Sequence, residues 1–185
     1  MKIILASQSA GRKRILGILG IQYETKPSNI DEKAIRHKEP EKLAELLARA
    51  KAEAISDLDS IVIAGDLFVV FDGKVIEKPY NNDDAYRMLM SYSGKIVEVV
   101  ASVAVYNTKN KKMLSAVSTA MLQFRELSDY EVKDYIKRYP VTTFSGAFDG
   151  DGAIRFTETT QGNEHVSVFP MAKLITFLRE NDVEC

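Results

Sequence analysis

A chain of 185 residues with 45% hydrophobic content is long enough to bury a core of its own, and its 25 basic against 26 acidic residues leave a net charge of −1. That balance excludes the broad basic footprint of a nucleic-acid or anionic-membrane binder, so any phosphate recognition has to be local. The single cysteine, Cys185, excludes a disulfide framework or a thiolate metal cage and suits a reducing cytoplasm. No stretch reads as a membrane span, and the apolar opening run is too short for a signal peptide.

Taken in chain order, Lys2 to Ala6 is a short apolar run rich in β-branched residues, and Arg12 to Leu19 places Ile15, Leu16 and Leu19 at helical spacing. The change of period predicts a strand, a tight turn and a helix. Ser7 and Ser9 lie at the turn, where a small hydroxyl caps the helix and leaves backbone N–H groups to meet an anion. Arg12 and Arg14 add charge there; an ordinary βα unit with a solvated basic first turn has the same pattern. Gly20 closes the helix, and Ile21 to Thr25 reads as a second short strand. From Pro40 a helix running to about Ser56 carries Leu43, Leu47, Ala50 and Ala54 on one face, with Lys51 bordering it as a snorkelling surface lysine would.

Ile61 to Ala64 predicts a buried central strand that stops abruptly at Asp66, the edge where ligands bind in open α/β sheets. Leu67 to Phe71, the turn Asp72-Gly73, and Lys74 to Glu77 predict a hairpin. Asn81 to Met90 predicts a capped helix, and Val97 to Tyr106 and Met113 to Phe124 a second, longer hairpin. Ser128 and Glu131 form a capping box for a helix through about Lys137, which Pro140 ends. The glycine-rich stretch from Phe144 to Gly152 predicts a loop that needs positive φ or a close backbone approach. Ala153 to Glu158 and His165 to Val168 predict short strands, and a helix from Pro170 closes the chain. Strands alternating with helices and interrupted by long hairpins give an α/β class with an extended mixed sheet. Both histidines, His37 and His165, stand outside any motif.

Leu5-Ala6-Ser7-Gln8-Ser9 followed by Arg12, Ile15 and Leu16 resembles the opening signature of the Maf-like, septum-formation-inhibitor family of nucleotide pyrophosphatases, L-A-S-x-S-P-R-R-x-x-L-L. The resemblance continues in order along nearly the whole chain: Ile30-Asp31-Glu32 resembles the family's I-D-E, Ala50-Lys51-Ala52 its K-A pair, and Val62-Ile63-Ala64-Gly65-Asp66 its V-I-G-A-D. Further on, Glu77-Lys78-Pro79 resembles G-K-P, Ser93-Gly94-Lys95 resembles L-S-G-R, Phe124-Arg125-Glu126-Leu127-Ser128 resembles F-R-x-L-S, and Ser145-Gly146-Ala147-Phe148 resembles A-G-A-Y. The chain departs from the pattern at Ala10 (proline), Gly11 (the first arginine), Leu67 (threonine), Val97 (histidine), Ala101 (threonine), Phe144 (lysine) and Asp149 (glutamine).

The resemblance implies one domain over residues 1–185, with a twisted mixed sheet flanked by helices, inosine-triphosphatase-like, in two lobes around a central cleft. It implies cleavage of a nucleoside triphosphate between the α and β phosphorus atoms, giving monophosphate and pyrophosphate in a cytoplasmic house-cleaning role. A triphosphate carries about four negative charges, which Mg²⁺ or Mn²⁺ on hard carboxylate oxygens would neutralise. Glu32 and Asp66 are the implied metal ligands. Asp66, Lys51 and Lys78 are the implied catalytic groups, and Ser7, Ser9, Arg12 and Asp149 the implied substrate contacts. The partner is the nucleotide; no nucleic acid or membrane is implied, and a homodimer is allowed. A nucleotide-binding regulator linked to cell division, its turnover lost through the changes at Gly11, Leu67 and Phe144, is the competing reading. A P-loop enzyme is excluded by the lack of a Gly-Lys-Ser/Thr segment.

Overall fold

The computed structural model describes residues 1–162 and 168–185. The strand expected at His165 to Val168 therefore lies, but for Val168, outside the described residues, as does His165. No described helix is long and apolar enough to cross a membrane. The fold is α/β, with a mixed sheet of eight strands among the described residues, and the chain clusters into two compact units.

The first unit is built from residues 1–67, 101–118 and the C-terminal stretch. Strand β1 (Lys2–Leu5) lies between β2 (Glu24–Thr25) and β3 (Ser60–Ala64), parallel to both, and β3 pairs antiparallel with β6 (Ile96–Asn107). Side chains alternate across this sheet. Leu5, Ile61, Ile63, Val103 and Val105 pack with residues of α1 (Ala10–Ile18) and α6 (Met171–Arg179). Ile4, Ala6, Val62, Ala64 and Ala104 pack with Ala48 and Ala52 of α2 (Pro40–Glu53). A sheet covered on both faces needs apolar residues in succession, and Ile61 through Ala64 are all fully buried.

Helix α2 corrects two expectations. It ends at Glu53 rather than Ser56, and its buried residues are Ala44, Leu47, Ala48, Lys51 and Ala52, not the stripe through Leu43, Ala50 and Ala54. Small alanines are what a helix needs to lie close on a strand, so backbone proximity rather than side-chain size selected the face. The second strand is also shorter than Ile21 to Thr25: Ile21 turns into the core instead of joining the sheet.

The second unit comprises the described residues of 68–100 and 119–166. Strands β4 (Leu67–Phe71) and β5 (Lys74–Ile76) pair antiparallel about Asp72-Gly73, both at positive φ, the type I′ turn that suits a two-residue hairpin. Helix α3 (Asn82–Ser91) is capped by Asn81, and α4 (Asp129–Arg138) by the full Ser128/Glu131 box. The core here is aromatic: Phe71, Tyr92, Phe124, Phe148, Phe156 and Tyr135 form a chain of ring pairs with centroids 4.9–6.2 Å apart, mostly edge-to-face.

The segment after the glycine-rich loop differs from expectation. Residues Gly150–Phe156 form a short helix, α5, and the strand β8 (Thr157–Gly162) follows it, antiparallel to β7 (Lys112–Phe124). Two glycines disfavour a helix locally, but Asp149 caps it from Oδ1 and burial of Ala153 and Phe156 outweighs the propensity. Within the loop itself Gly146 has the expected positive φ, and the close approach there is to Val69: a Cβ would lie 2.7 Å from its side chain.

Candidate active site

Because β1 and β3 are parallel neighbours, with Leu5 opposite Ile63, the residues following them emerge at the same carboxyl edge of the first unit's sheet. Ala6 N–H still donates to the Ile63 carbonyl, and then the two chains part, one into the serine turn and the other into Gly65-Asp66. Ser9 caps α1 by accepting the Arg12 N–H. Ser7 Oγ accepts from Ser9 N–H at 3.2 Å and from Arg12 Nη1 at 3.1 Å. With two N–H groups on its lone pairs, the Ser7 hydroxyl proton is directed elsewhere, toward any anion at the helix N-terminus.

Arg12 is 8% exposed, with its guanidinium over the Phe169 ring, 5.6 Å from the centroid. Its Nε has no hydrogen-bond partner among the described residues. Burial pushes this guanidinium below its ordinary pKa, and the negative charges of Asp66 and Glu32 pull the other way. The position before it is closed: a Cβ on Gly11 would meet Val168 Cγ1 at 2.9 Å, so a side chain there has no room without movement.

Lys51, the expected snorkelling lysine, is buried in the last turn of α2. Its Nζ stands 3.1 Å from Glu32 Oε1 and 3.3 Å from Asp66 Oδ2. Glu32 opens a 3-10 turn (Glu32–Ala34) capped by Asp31 and is half-exposed, whereas the Asp66 side chain is only 13% exposed. Asp66 Oδ1 accepts from Leu67 N–H, and Oδ2 is buried with no hydrogen bond among the described residues. Two positive and two negative groups thus form one compact, charge-balanced cluster.

No group of three or more His, Cys, Asp or Glu side chains that could cage a metal occurs among the described residues. The pair Glu32 and Asp66, whose Oε1 and Oδ2 converge on the Lys51 ammonium, nonetheless fits a Mg²⁺-type ion, which typically takes one or two carboxylates and completes its shell from phosphates and water.

Ser7, Ser9, Arg12, Glu32, Lys51 and Asp66 are therefore gathered in the first unit. Lys78 and Asp149 belong to the second: Lys78 is exposed, and Asp149 Oδ1 accepts from both Tyr135 Oη at 2.7 Å and Gly152 N–H at 3.0 Å. Of the other departures from the family pattern, Val97 and Ala101 are buried apolar residues. Sequence reasoning missed Ser102 and Phe169, which touch the cluster's residues directly. A serine inside an apolar strand was the visible signal for the first; an aromatic before a proline gave none for the second.

The Maf-like protein family profile matches residues 2–181. The dTTP/UTP pyrophosphatase of Aquifex aeolicus is 35% identical over 184 residues, 97% of this chain and 95% of that one. The 7-methyl-GTP pyrophosphatase of Idiomarina loihiensis is 30% identical over 190 residues, 99% and 96% of the two chains. Among solved structures, that of the Staphylococcus aureus Ham1 protein matches with a TM-score of 0.48 and 16% identity, over 68% of this chain and 73% of that one. With the profile spanning nearly its whole length and relatives at this identity covered almost end to end, the chain belongs to the Maf-like family.

Proposed function

We propose that the protein is a nucleoside triphosphate pyrophosphatase of the cytoplasm, cleaving the α–β phosphoanhydride bond to yield a nucleoside monophosphate and pyrophosphate. The observation that carries the reading is the Arg12–Glu32–Lys51–Asp66 cluster beside the serine turn. Two carboxylates that converge on one buried ammonium beside a helix N-terminus suit a polyanion accompanied by a divalent cation, and a binding-only protein would have no need of two carboxylates facing a polyanion. The names of the relatives, pyrophosphatases of pyrimidine and methylated guanine triphosphates, agree with this class of reaction.

In this reading Arg12 grips nonbridging phosphate oxygens, its guanidinium already oriented by Ser7 and Phe169, while the Ser7 hydroxyl and the free N–H groups of the first turn of α1 donate to the same phosphates. Glu32 and Asp66 would hold a divalent cation, which neutralises phosphate charge and orients water when bound. Lys51, beside both carboxylates, would meet the negative charge that grows on the phosphoryl oxygens. Asp66 would also accept a proton from the attacking water. Lys78 and Asp149 enter through their match to the family's pattern: Lys78 to neutralise the leaving pyrophosphate, Asp149 to face the base. With Oδ1 committed to Tyr135 and Gly152, Asp149 has Oδ2 left as an acceptor, which favours a base presenting an amino donor over uracil or thymine, whose ring N–H is flanked by two carbonyls. Incubation with a panel of triphosphates and Mg²⁺ or Mn²⁺, scoring pyrophosphate against orthophosphate, tests the reaction. Orthophosphate alone, or no release from any triphosphate, would refute it. Equal rates for uridine, cytidine and guanosine triphosphates, unchanged in Asp149→Gln, would remove Asp149 from base choice.

A further inference from the structure

We propose that Ser102 is a positioning residue for the reaction: its hydroxyl ties the backbone of Asp66 to helix α2 and so sets the separation between the Asp66 carboxylate and the Lys51 ammonium. The catalytic half of this statement rests on the function proposed above.

Ser102 lies in β6 and is fully buried. The antiparallel ladder of β3 with β6 runs Ile61↔Asn107 to Ala64↔Ala104, and two residues further on Asp66 comes opposite Ser102. There the backbone half of the pairing survives, Ser102 N–H donating to the Asp66 carbonyl at 2.9 Å. In a regular ladder the Asp66 N–H would donate to the Ser102 carbonyl; here it donates to Ser102 Oγ at 2.9 Å instead. The chain is thus leaving the sheet at Asp66, and the serine hydroxyl holds it at the point of departure.

The hydroxyl has one proton. The Ala44 carbonyl of α2 lies 2.8 Å away and the Asp66 carbonyl 3.4 Å, so the proton goes to Ala44. Ala44 precedes Lys51 by seven residues, two helical turns, and therefore shares its face. One oxygen atom bonds the backbone of the residue that carries the carboxylate and the helix that carries the ammonium. The room around it is tight: a Cβ on Gly65 would stand 2.5 Å from the Ser102 carbonyl. A buried serine that merely satisfied local backbone groups would not have to join these two elements.

The test compares Ser102→Ala and Ser102→Cys with Ser60→Ala, which removes another fully buried serine hydroxyl at the opposite end of β3. Positioning predicts that kcat for triphosphate hydrolysis falls about tenfold or more in Ser102→Ala, and less in Ser102→Cys, since small misplacements of catalytic groups are costly. KM should stay within about twofold, and Ser60→Ala should lower Tm without lowering kcat. A second arm needs no turnover: the coupling between Asp66→Asn and Lys51→Met, measured as non-additivity of their thermal shifts, should shrink in the Ser102→Ala background. Unchanged coupling, or a kcat loss in Ser60→Ala equal to that in Ser102→Ala, overturns the proposal. Shrunken coupling in a protein that releases no pyrophosphate would sustain the positioning role and refute the proposed reaction instead.

Discussion

Asp66→Asn exchanges one oxygen of the strand-end carboxylate for nitrogen and leaves its volume almost unchanged, so its consequences are electrostatic. In the native cluster Arg12 and Lys51 are balanced by Glu32 and Asp66; after the change two buried cations face one half-exposed carboxylate. At 3.3 Å the lost attraction between Lys51 and Asp66 amounts to about 5 kcal/mol at an effective dielectric constant near 20. Only the desolvation of Asp66 itself is relieved, while Lys51 stays buried and keeps Glu32 at 3.1 Å, leaving a net destabilisation of about 3 kcal/mol. The surplus positive charge should act in the opposite direction on a polyanion. Without divalent metal, pyrophosphate binding measured by titration calorimetry should tighten about three- to thirtyfold, about 0.6–2 kcal/mol. Turnover with metal should fall about a hundredfold or more, the scale of losing a principal electrostatic group. Tighter pyrophosphate binding with lost turnover separates a catalytic carboxylate from a generally damaged fold. Turnover within about tenfold of native, or weaker pyrophosphate binding in the absence of metal, would refute the assignment.

Lys78→Ala should lower kcat more than it raises KM and leave Tm unchanged, because the side chain is exposed; steady-state kinetics with thermal melts would show it, and an unaltered kcat would exclude Lys78. Gly65→Ala should cost about 1–3 kcal/mol by overpacking, since the new methyl meets the Ser102 carbonyl and, at 2.7 Å, the Phe169 ring. Chemical denaturation would measure that cost, and a neutral result would show that the approach is looser. Asp57, bridged to Lys2 at 2.8 Å and Lys26 at 2.6 Å, is held below its ordinary pKa chiefly by its hydrogen bond from Lys2 and then by that from Lys26. A depressed carboxylate stabilises the fold above its unfolded pKa, and that contribution disappears as pH falls through the folded value. Melting curves of native protein and Asp57→Asn should therefore differ at neutral pH and converge at a pH below about 3.9, whereas an equal gap at both extremes would contradict the linkage.

Features governed by local chemistry were legible in the sequence. The Ser128/Glu131 capping box, the Asp72-Gly73 turn, and the apolar run that stops at Asp66 all stand where expected, because each depends on neighbours within a few residues. What escaped depends on residues distant in sequence. Lys51 borders an apolar stripe and is read as a surface lysine until Glu32 and Asp66, from two other elements, are known to converge on it. Helix α5 contradicts its own glycines because Phe156 has an aromatic core to enter. Ser102 reads as a polar interruption in a strand, and its role emerges only when Ala44 and Asp66 are seen on either side of one oxygen.

The strand order of the first unit also dictates how the chain meets its own biosynthesis. Strand β3 has β1 available as soon as it leaves the ribosome, but its other neighbour is the far end of β6, residues Ala104 to Asn107, made about forty residues later. At an elongation rate of about 5–20 residues per second, a strand apolar from Ile61 to Ala64 would keep one edge unpaired for roughly 2–8 seconds, long compared with strand association. Such an edge invites pairing with another nascent chain, which is where chaperone dependence, or loss of soluble yield on rapid overexpression, would arise for this molecule.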